Sequence, residues 1–156
     1  MLPFIIQYDL TKLSEIADRI VALLPVYQVF IFVGDLGAGK TALIRALLAR
    51  CGIHEPVTSP TFNYVNCYVN ADGQQFYHFD LYRIADEQQF MMLGLNEFLY
   101  RPNAWAFIEW PDAALPFLAN AVCMVNLERT LIEDERVITI TKLDETTHNV
   151  HKESDL

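Results

Sequence analysis

The stretch Gly34-Asp35-Leu36-Gly37-Ala38-Gly39-Lys40-Thr41 decides the fold of this 156-residue chain. It matches the pattern G-x-x-x-x-G-K-[ST], in which glycines let successive backbone N–H groups approach an anion. Lys40 would bring a positive charge to β- and γ-phosphates, and the Thr41 hydroxyl is a hard ligand for Mg²⁺. The stretch therefore predicts a nucleoside triphosphate site. The residues expected to contact the nucleotide are those of the loop and of the turn that follows it: Asp35, Leu36, Gly37, Ala38, Gly39, Lys40, Thr41 and Ala42.

The flanks of this loop fit a strand–loop–helix unit. Residues 29–33 are a continuous run of β-branched and aromatic side chains, as expected of a parallel strand that is buried on both faces. Residues 41–50 are rich in helix formers and are followed by Gly52, a residue type that often ends helices. The alternative is a glycine-rich turn that contains Lys-Thr by chance. Such a turn would not need a strand before it and a helix after it. Because both elements are predicted here, they favour the phosphate-binding loop.

Composition predicts a single folded domain. Hydrophobic residues make up 53% of the chain and charged residues 20%, which is typical of globular proteins. We expect a domain over residues 1–143 and a polar, disordered tail over residues 144–156. There is no apolar run of membrane-spanning length and no secretory signal, and the three cysteines lack a C-x-x-C pattern. These features predict a cytoplasmic protein with reduced thiols and no membrane partner.

The net charge of −9 argues against a protein that grips nucleic acid by itself. Affinity for a phosphate backbone comes mainly from clustered Lys and Arg side chains. The eleven basic residues of this chain are scattered along the sequence instead.

The first half of the chain predicts further elements around the loop. Residues 4–8 could form a short edge strand. Residues 65–69 and 75–79 predict a β-hairpin that turns at residues 70–73. Thr11 is expected to cap a first helix that Pro25 ends, with apolar side chains at helical spacing: Leu13, Ile16, Ala17, Ile20, Leu23 and Leu24.

The second half completes an α/β pattern. A helix is expected to begin near Asp86, with its Phe and Met side chains in the core, to break at Gly94 and to resume to Tyr100. A strand at 104–109, a short helix at 112–118 and strands at 122–127 and 136–141 follow. Together the elements predict a P-loop NTPase-like, three-layer α/β fold. Its mixed sheet would have parallel core strands, antiparallel additions and helices on both faces.

Two carboxylates at predicted strand ends are candidates for metal and water chemistry. Asp80 follows the strand at 75–79, and Glu109 ends the apolar strand that begins at residue 104. P-loop proteins hold Mg²⁺ and the attacking water near such positions, where open α/β sheets gather their ligands. The alternatives are that Asp80 caps the helix near Asp86 and that Glu109 is a surface carboxylate. On its residue type alone, Trp110 is a core anchor.

Three hydroxyl side chains surround Pro60 in the loop that follows the phosphate-binding helix. Thr58, Ser59 and Thr61 could form a switch-like loop that senses phosphate and metal. Ordinary turn chemistry, in which such side chains bond the local backbone, is the alternative and is favoured on residue types alone.

From about Thr11 to Ile140, the chain resembles the TsaE family (formerly YjeE). The resemblance rests on four motifs in this order: residues 34–41, Val57-Thr58-Ser59-Pro60-Thr61-Phe62, Phe79-Asp80-Leu81-Tyr82-Arg83 and Glu109-Trp110-Pro111. The first motif is common to many superfamilies, whereas the four together are specific. The chain departs from the family at Ala42, where a second Thr is usual.

The resemblance implies an ATPase in the bacterial machinery that makes threonylcarbamoyladenosine in tRNA, acting with TsaB and TsaD. It implies that Lys40 and Thr41 hold phosphate and Mg²⁺, and that Asp80 and Glu109 serve the metal and the hydrolytic water. It also implies contact with tRNA only through the complex. Because the sequence has few arginines near the loop to neutralise the transferring phosphoryl group, we expect slow hydrolysis by the chain alone and stimulation by partners. The Thr-Ser-Pro-Thr segment would be the switch, with Trp110 nearby.

Other functions share such a loop. A small kinase would need an arginine-rich lid, for which Arg83 and Arg101 are the candidates. A GTPase is suggested by residues 141–144, which fit [NT]-K-x-D, but no D-x-x-G motif follows the loop and no helix follows Asp144. A binding protein without appreciable turnover is the third alternative.

Overall fold

The computed structural model describes residues 3–60, 62–119 and 121–143, and within them seven strands form one sheet. The strands are β1 (Phe4–Asp9), β2 (Val29–Val33), β3 (Val65–Val69), β4 (Gln75–Asp80), β5 (Ala104–Glu109), β6 (Val122–Arg129) and β7 (Glu135–Leu143). The helices are α1 (Leu13–Val21), α2 (Lys40–Arg50) and α3 (Glu87–Met92). Short 3-10 turns occupy Leu10–Lys12, Leu95–Phe98, Pro111–Ala113 and Leu115–Phe117. Thr61 and the expected tail at 144–156 lie outside the described residues.

The sheet has the order β1-β7-β6-β2-β5-β4-β3 and is mixed, as the sequence predicts. Its centre is parallel: β2 runs parallel to both β5 and β6, and β5 runs parallel to β4. Antiparallel strands close both sides, with β3 on β4 and the pair β7 and β1 beyond β6. Because β2, β4, β5 and β6 point the same way, their carboxyl ends meet at one edge of the sheet.

The alternating side chains of β2 divide the core into two layers. Phe30 and Phe32 pack on one face with apolar residues of α1 and α2. Val29 and Ile31 pack on the other face, in a cluster that includes Phe90 of α3. Helices therefore cover both faces, and the predicted three-layer P-loop architecture is confirmed. No helix in the described part of the chain is long and apolar enough to cross a membrane.

The first helix differs from its prediction at both ends. Thr11 is not its cap: Asp9 caps the 3-10 turn that precedes α1, where its carboxylate accepts a hydrogen bond from the backbone N–H of Thr11 at 2.7 Å, and Lys12 stands at the N-cap position of α1. Since a 3-10 turn follows this cap, α1 begins only at Leu13. The helix ends at Val21, four residues before Pro25, so the proline does not end it.

Two further expectations are wrong: the methionines of α3 are not in the core, and residues 112–118 do not form one helix. Phe90 is fully buried, but Met91 and Met92 are 53% and 85% exposed, so the methionines do not belong to the core. Asp86 caps α3 by accepting a hydrogen bond from the N–H of Gln89 at 2.9 Å. The short helix expected at 112–118 consists of two 3-10 turns.

Candidate active site

The loop between β2 and α2 depends on glycine for its shape. Gly34 has φ of 149°, and a Cβ on it would lie 2.4 Å from the backbone oxygen of Leu127 on β6. Gly37 and Gly39 have φ of 79° and 104°, in the left-handed region that side chains disfavour. The N–H of Ala38 donates to the carbonyl of Asp35 at 3.0 Å and closes the turn. The G-x-x-x-x-G spacing is therefore a requirement of the backbone.

The loop leads directly into the amino end of α2. Gly39 is the N-cap residue and makes no side-chain capping bond, so the N–H groups of the first turn are not capped by a local side chain. These groups and the helix dipole make the start of an eleven-residue helix favourable for an anion.

Lys40 is folded back onto the loop. Its side chain is almost buried, and Nζ donates to the carbonyls of Gly34 and Asp35 at 2.5 and 3.0 Å. Nζ also lies 4.1 Å from the centroid of a Trp110 ring, in a cation–π contact. Burial lowers the pKa of Lys40, whereas the negative charge of Glu109, followed by smaller effects of other carboxylates, acts to raise that pKa.

Thr41 and Glu109 are joined across the site. The Thr41 hydroxyl lies 2.7 Å from Oε1 and 3.0 Å from Oε2 of Glu109. Glu109 is only 3% exposed, so the alternative of a surface carboxylate is wrong. On the core side, Nε2 of the fully buried His78 lies 2.9 Å from Oε1 of Glu109. Sequence reasoning missed His78, although its place two residues before Asp80 in the same strand puts both side chains on one face of the sheet.

Asp80 lies beside Glu109 because the two residues are paired in register on β4 and β5. Its carboxylate accepts hydrogen bonds from the Ser59 hydroxyl at 3.0 Å and from the N–H of Tyr82 at 3.1 Å. Since Asp86 caps α3, the helix-cap alternative for Asp80 is wrong. The structure thus connects Ser59, a residue of the expected switch loop, to the acidic pair.

The other hydroxyl residues of that loop are placed differently. Thr58 is exposed, and its carbonyl accepts a hydrogen bond from the Asn66 amide at 3.2 Å. This backbone bond anchors the loop to β3. Thr61 is outside the described residues.

Trp110 forms one wall of the site. Its backbone has φ of 55° and ψ of 62°, a left-handed conformation that costs an L-residue about 1–2 kcal/mol. In this conformation the ring contacts Lys40 and lies 4.9 Å from the Tyr82 ring. A cavity of about 330 Å³ lies between Trp110, the acidic pair and the phosphate loop. The residues that line it include Leu36, Gly37, Gly39, Lys40, Thr41, Ala42, Ser59, Asp80, Glu109 and Trp110. Asp35 and Ala38, also expected at the nucleotide, shape the loop through their backbones.

Two arginines near the loop escaped the sequence analysis. Arg136 on β7 is 7% exposed, and its Nε donates to the carbonyl of Ala38 at 3.1 Å. A guanidinium nitrogen of Arg129 lies 3.8 Å from the position that a Cβ would take on Gly37. Arg101, one of the two lid candidates for the kinase alternative, packs 4.7 Å from the centroid of the Phe98 ring, before β5 begins. It therefore lies at the sheet edge opposite the loop.

The possible guanine-reading motif at residues 141–144 is also distant from the loop. Its described part lies in β7, where Lys142 is level with Phe30 across β6. Phe30 is three residues before Val33, the last residue of β2, and the loop begins only after Val33. Since each residue advances a strand by about 3.3 Å, Lys142 is level with a point well back from the loop. This placement favours a chance match.

The donors in the site are hard oxygens. Thr41, Glu109 and Asp80 supply a hydroxyl and two carboxylates, which suit Mg²⁺. The described residues contain no group of three or more His, Cys, Asp or Glu side chains that could hold a metal ion. A cation here would therefore need oxygens from phosphate and water as well.

Comparisons with known proteins point to one family. The profile of the family described as "Threonylcarbamoyl adenosine biosynthesis protein TsaE" matches residues 8–138. Two proteins named "tRNA threonylcarbamoyladenosine biosynthesis protein TsaE" are similar: that of Haemophilus influenzae is 39% identical over 95 residues, and that of Borreliella burgdorferi is 40% identical over 92 residues. These matches cover 61% and 59% of this chain but only 59% and 66% of the relatives.

A longer match supports the same assignment, and a solved structure shares the fold. The TsaE of Rickettsia bellii is 33% identical over 129 residues, which are 82% of this chain and 87% of that relative. The crystal structure of YdiB from Bacillus subtilis shares the fold, with a TM-score of 0.66, 24% identity, and coverage of 98% of this chain and 95% of YdiB.

Proposed function

Because this chain belongs to the TsaE family, we propose that it is an ATP-binding and ATP-hydrolysing subunit required for threonylcarbamoyladenosine modification of tRNA. The activity would depend on Mg²⁺ and would be exerted together with TsaB and TsaD. One observation carries the proposal: the Thr41 hydroxyl of the phosphate loop lies 2.7 Å from the Glu109 carboxylate at the end of the neighbouring strand. This contact joins the Thr41 hydroxyl, which suits a metal ion, to the Glu109 carboxylate, which suits the activation of water.

The loop supplies the binding of the triphosphate. The N–H groups at the start of α2 favour a phosphate, and Lys40 lies within the same cavity. In this structure the Lys40 ammonium is held by two backbone carbonyls and the Trp110 ring. A phosphate would compete for the ammonium with these weaker, neutral acceptors, since charge-assisted hydrogen bonds are the stronger ones.

Thr41, with Glu109 and Asp80 directly or through water, would hold Mg²⁺. The ion, when bound, supplies positive charge against the β- and γ-phosphate oxygens. The donor set fits because all three groups are oxygens, and two of the three are carboxylates. The Thr41 hydroxyl could keep its hydrogen bond to Glu109 while a lone pair faces the ion, because a hydroxyl has one proton and two lone pairs.

The acidic pair would orient the water that attacks the γ-phosphate. Glu109 is buried and held on both sides, whereas Asp80 is reached by Ser59 from the loop at 57–62. We assign the orientation of water to these two carboxylates jointly. The bond from Ser59 to Asp80 would let the loop report on, and respond to, the occupied site.

The net charge of −9 supports an indirect relation to tRNA. We propose that TsaB and TsaD are the partners, and that tRNA is contacted only through them. The three cysteines are free thiols, which supports a cytoplasmic location. A small kinase or a GTPase-like switch is the alternative, but Arg101 lies at the wrong edge for a lid and Lys142 is remote from the loop.

Nucleotide titration tests the proposal directly, because Trp110 can be isolated as a reporter. Trp105 is the second tryptophan; it stacks on Phe76 and donates to the carbonyl of Leu24, away from the loop. In a Trp105→Phe variant, ATP with Mg²⁺ should change the emission, and a Trp110→Phe variant should lose that change. GTP should act much more weakly. Equal responses to ATP and GTP, or no response, would contradict the proposal.

A further inference from the structure

His78 is a fully buried polar residue in an otherwise apolar part of β4. Its neighbours on the strand, Tyr77 and Phe79, are also buried. Burying an imidazole costs free energy unless hydrogen bonds compensate. The hydrogen bond that His78 makes is to Glu109, with Nε2 2.9 Å from Oε1.

The other ring nitrogen provides no such compensation. Within the described residues, Nδ1 of His78 is buried and has no hydrogen-bond partner. An apolar side chain at this position would avoid that cost, so packing alone does not account for a histidine. Its polar contact is directed at Glu109.

Glu109 Oε1 accepts hydrogen bonds from opposite sides. Thr41 Oγ1 lies 2.7 Å away on the cavity side, and His78 Nε2 lies 2.9 Å away on the core side. Both the neutral ring with its proton on Nε2 and the protonated ring can donate this bond. The arrangement therefore does not require His78 to change its protonation state.

We propose that His78 is a positioning residue that fixes the Glu109 carboxylate for catalysis, an inference that rests on the proposed ATPase function. The Thr41 hydroxyl has a single proton, which it shares between Oε1 and Oε2, so it does not fix the carboxylate by itself. His78 is the second donor, and it holds Oε1 from the core side. Oε2, which His78 does not contact, is left for water or the cation. Hydrogen-bonded partners of this kind commonly orient the carboxylates of metal sites.

The test compares variants at His78 in the full chain, with TsaB, TsaD and tRNA present. His78→Leu should lower kcat for ATP hydrolysis by roughly tenfold to a hundredfold, the usual effect of losing such a partner. KM for ATP should stay within about twofold, because the loop and Lys40 are unchanged. His78→Gln should restore much of kcat, since its amide nitrogen can occupy the place of Nε2.

A matched variant separates positioning from packing. Phe76 is on the same strand and face, is 1% exposed, and stacks on Phe107. Phe76→Leu should lower the melting temperature while kcat is retained. If His78→Leu does not fold, His78→Asn provides the second comparison, because its shorter amide cannot reach Oε1 whereas that of Gln can.

Each outcome bears on a different claim. Equal kcat in wild type and His78→Leu, or in His78→Asn and His78→Gln, would overturn the inference alone. So would a loss of kcat in Phe76→Leu as large as that in His78→Leu. A wild-type protein that hydrolyses no ATP with its partners would overturn the proposed function and this inference with it.

Discussion

The Thr41 hydroxyl donates to both carboxylate oxygens of Glu109, although the two residues are 68 positions apart in the sequence. This bond ties the phosphate loop to the carboxyl end of β5. It also means that the hydroxyl and the carboxylate are already within reach of one common cation. The sheet order, which places β5 next to β2, brings them together.

The first prediction concerns Thr41. Thr41→Val keeps the side-chain shape but removes the proposed metal ligand, so ATP hydrolysis should fall by roughly tenfold to a thousandfold. Binding of ATP without Mg²⁺ should change little, whereas the Mg²⁺ dependence of binding should weaken. ATP titrations with and without Mg²⁺ measure both effects. Thr41→Ser should recover most of the activity, and a Val variant with normal Mg²⁺ dependence would contradict the assignment.

Lys40→Ala should abolish hydrolysis and also weaken binding of the triphosphate. In the proposed function, Lys40 would offer charge to the β- and γ-phosphates in both the ground and the transition state. Because Nζ contacts the Trp110 ring, the substitution should also alter the fluorescence of nucleotide-free protein in the Trp105→Phe background. Near-normal hydrolysis by Lys40→Ala would refute the catalytic role of this lysine.

Neutralising Asp80 should affect turnover more than nucleotide affinity. Asp80→Asn can still accept from the N–H of Tyr82, so its free energy of unfolding should stay close to that of the wild type. Its hydrolysis rate should fall by roughly tenfold or more. Ser59→Ala should cause a smaller loss through the same contact. Steady-state rates and denaturant unfolding measure the two effects.

Asp86 provides the control for Asp80. Asp86→Ala removes the observed cap of α3 and should lower the free energy of unfolding by about 1 kcal/mol without changing turnover. If Asp80→Asn behaved like this control, Asp80 would have a structural role only.

Gly34 should be far less tolerant of alanine than Gly73. Both have positive φ, but a Cβ on Gly34 would meet the Leu127 oxygen at 2.4 Å, whereas one on Gly73 would meet no described atom within 4 Å. Gly73→Ala should therefore cost only the backbone strain, about 1–2 kcal/mol. Gly34→Ala adds a clash and should cost about 2–5 kcal/mol or prevent folding. Urea unfolding of the two variants compares them, and equal losses would contradict the role of this close approach.

The unit at residues 29–50 could be predicted from sequence because its signals are local. The apolar run of β2, the glycines and the helix formers each act within a few residues of one another. The strands that end at Asp80 and Glu109 could be predicted for the same reason, because both are short segments rich in aromatic or aliphatic side chains that end in a carboxylate.

The contacts that complete the site could not be predicted in this way, because they depend on which strands are neighbours. His78 reaches Glu109 only because β4 lies next to β5, and Arg136 reaches Ala38 only because β7 returns beside β6. The helix cap was misassigned for a different reason: Asp9 and Thr11 are both good capping residues, and two positions of sequence separate them. Met91 and Met92 follow the buried Phe90 on α3, and their exposure shows that they face away from the core.

Hydrolysis of ATP with and without partners tests the central claim most directly. Arg136, which is buried beside the loop, is already bonded to the backbone carbonyls of Ala38, Glu133 and Glu135. Although Arg129 also lies near the loop, beside Gly37, we expect the site to obtain further positive charge, or order in the loop around Ser59, from a partner. The measurement is the steady-state rate of ATP hydrolysis by the chain alone, then with TsaB and TsaD, and then with tRNA added. We predict slow hydrolysis by the chain alone and a clear increase with TsaB and TsaD; full activity alone that the partners leave unchanged would contradict the account.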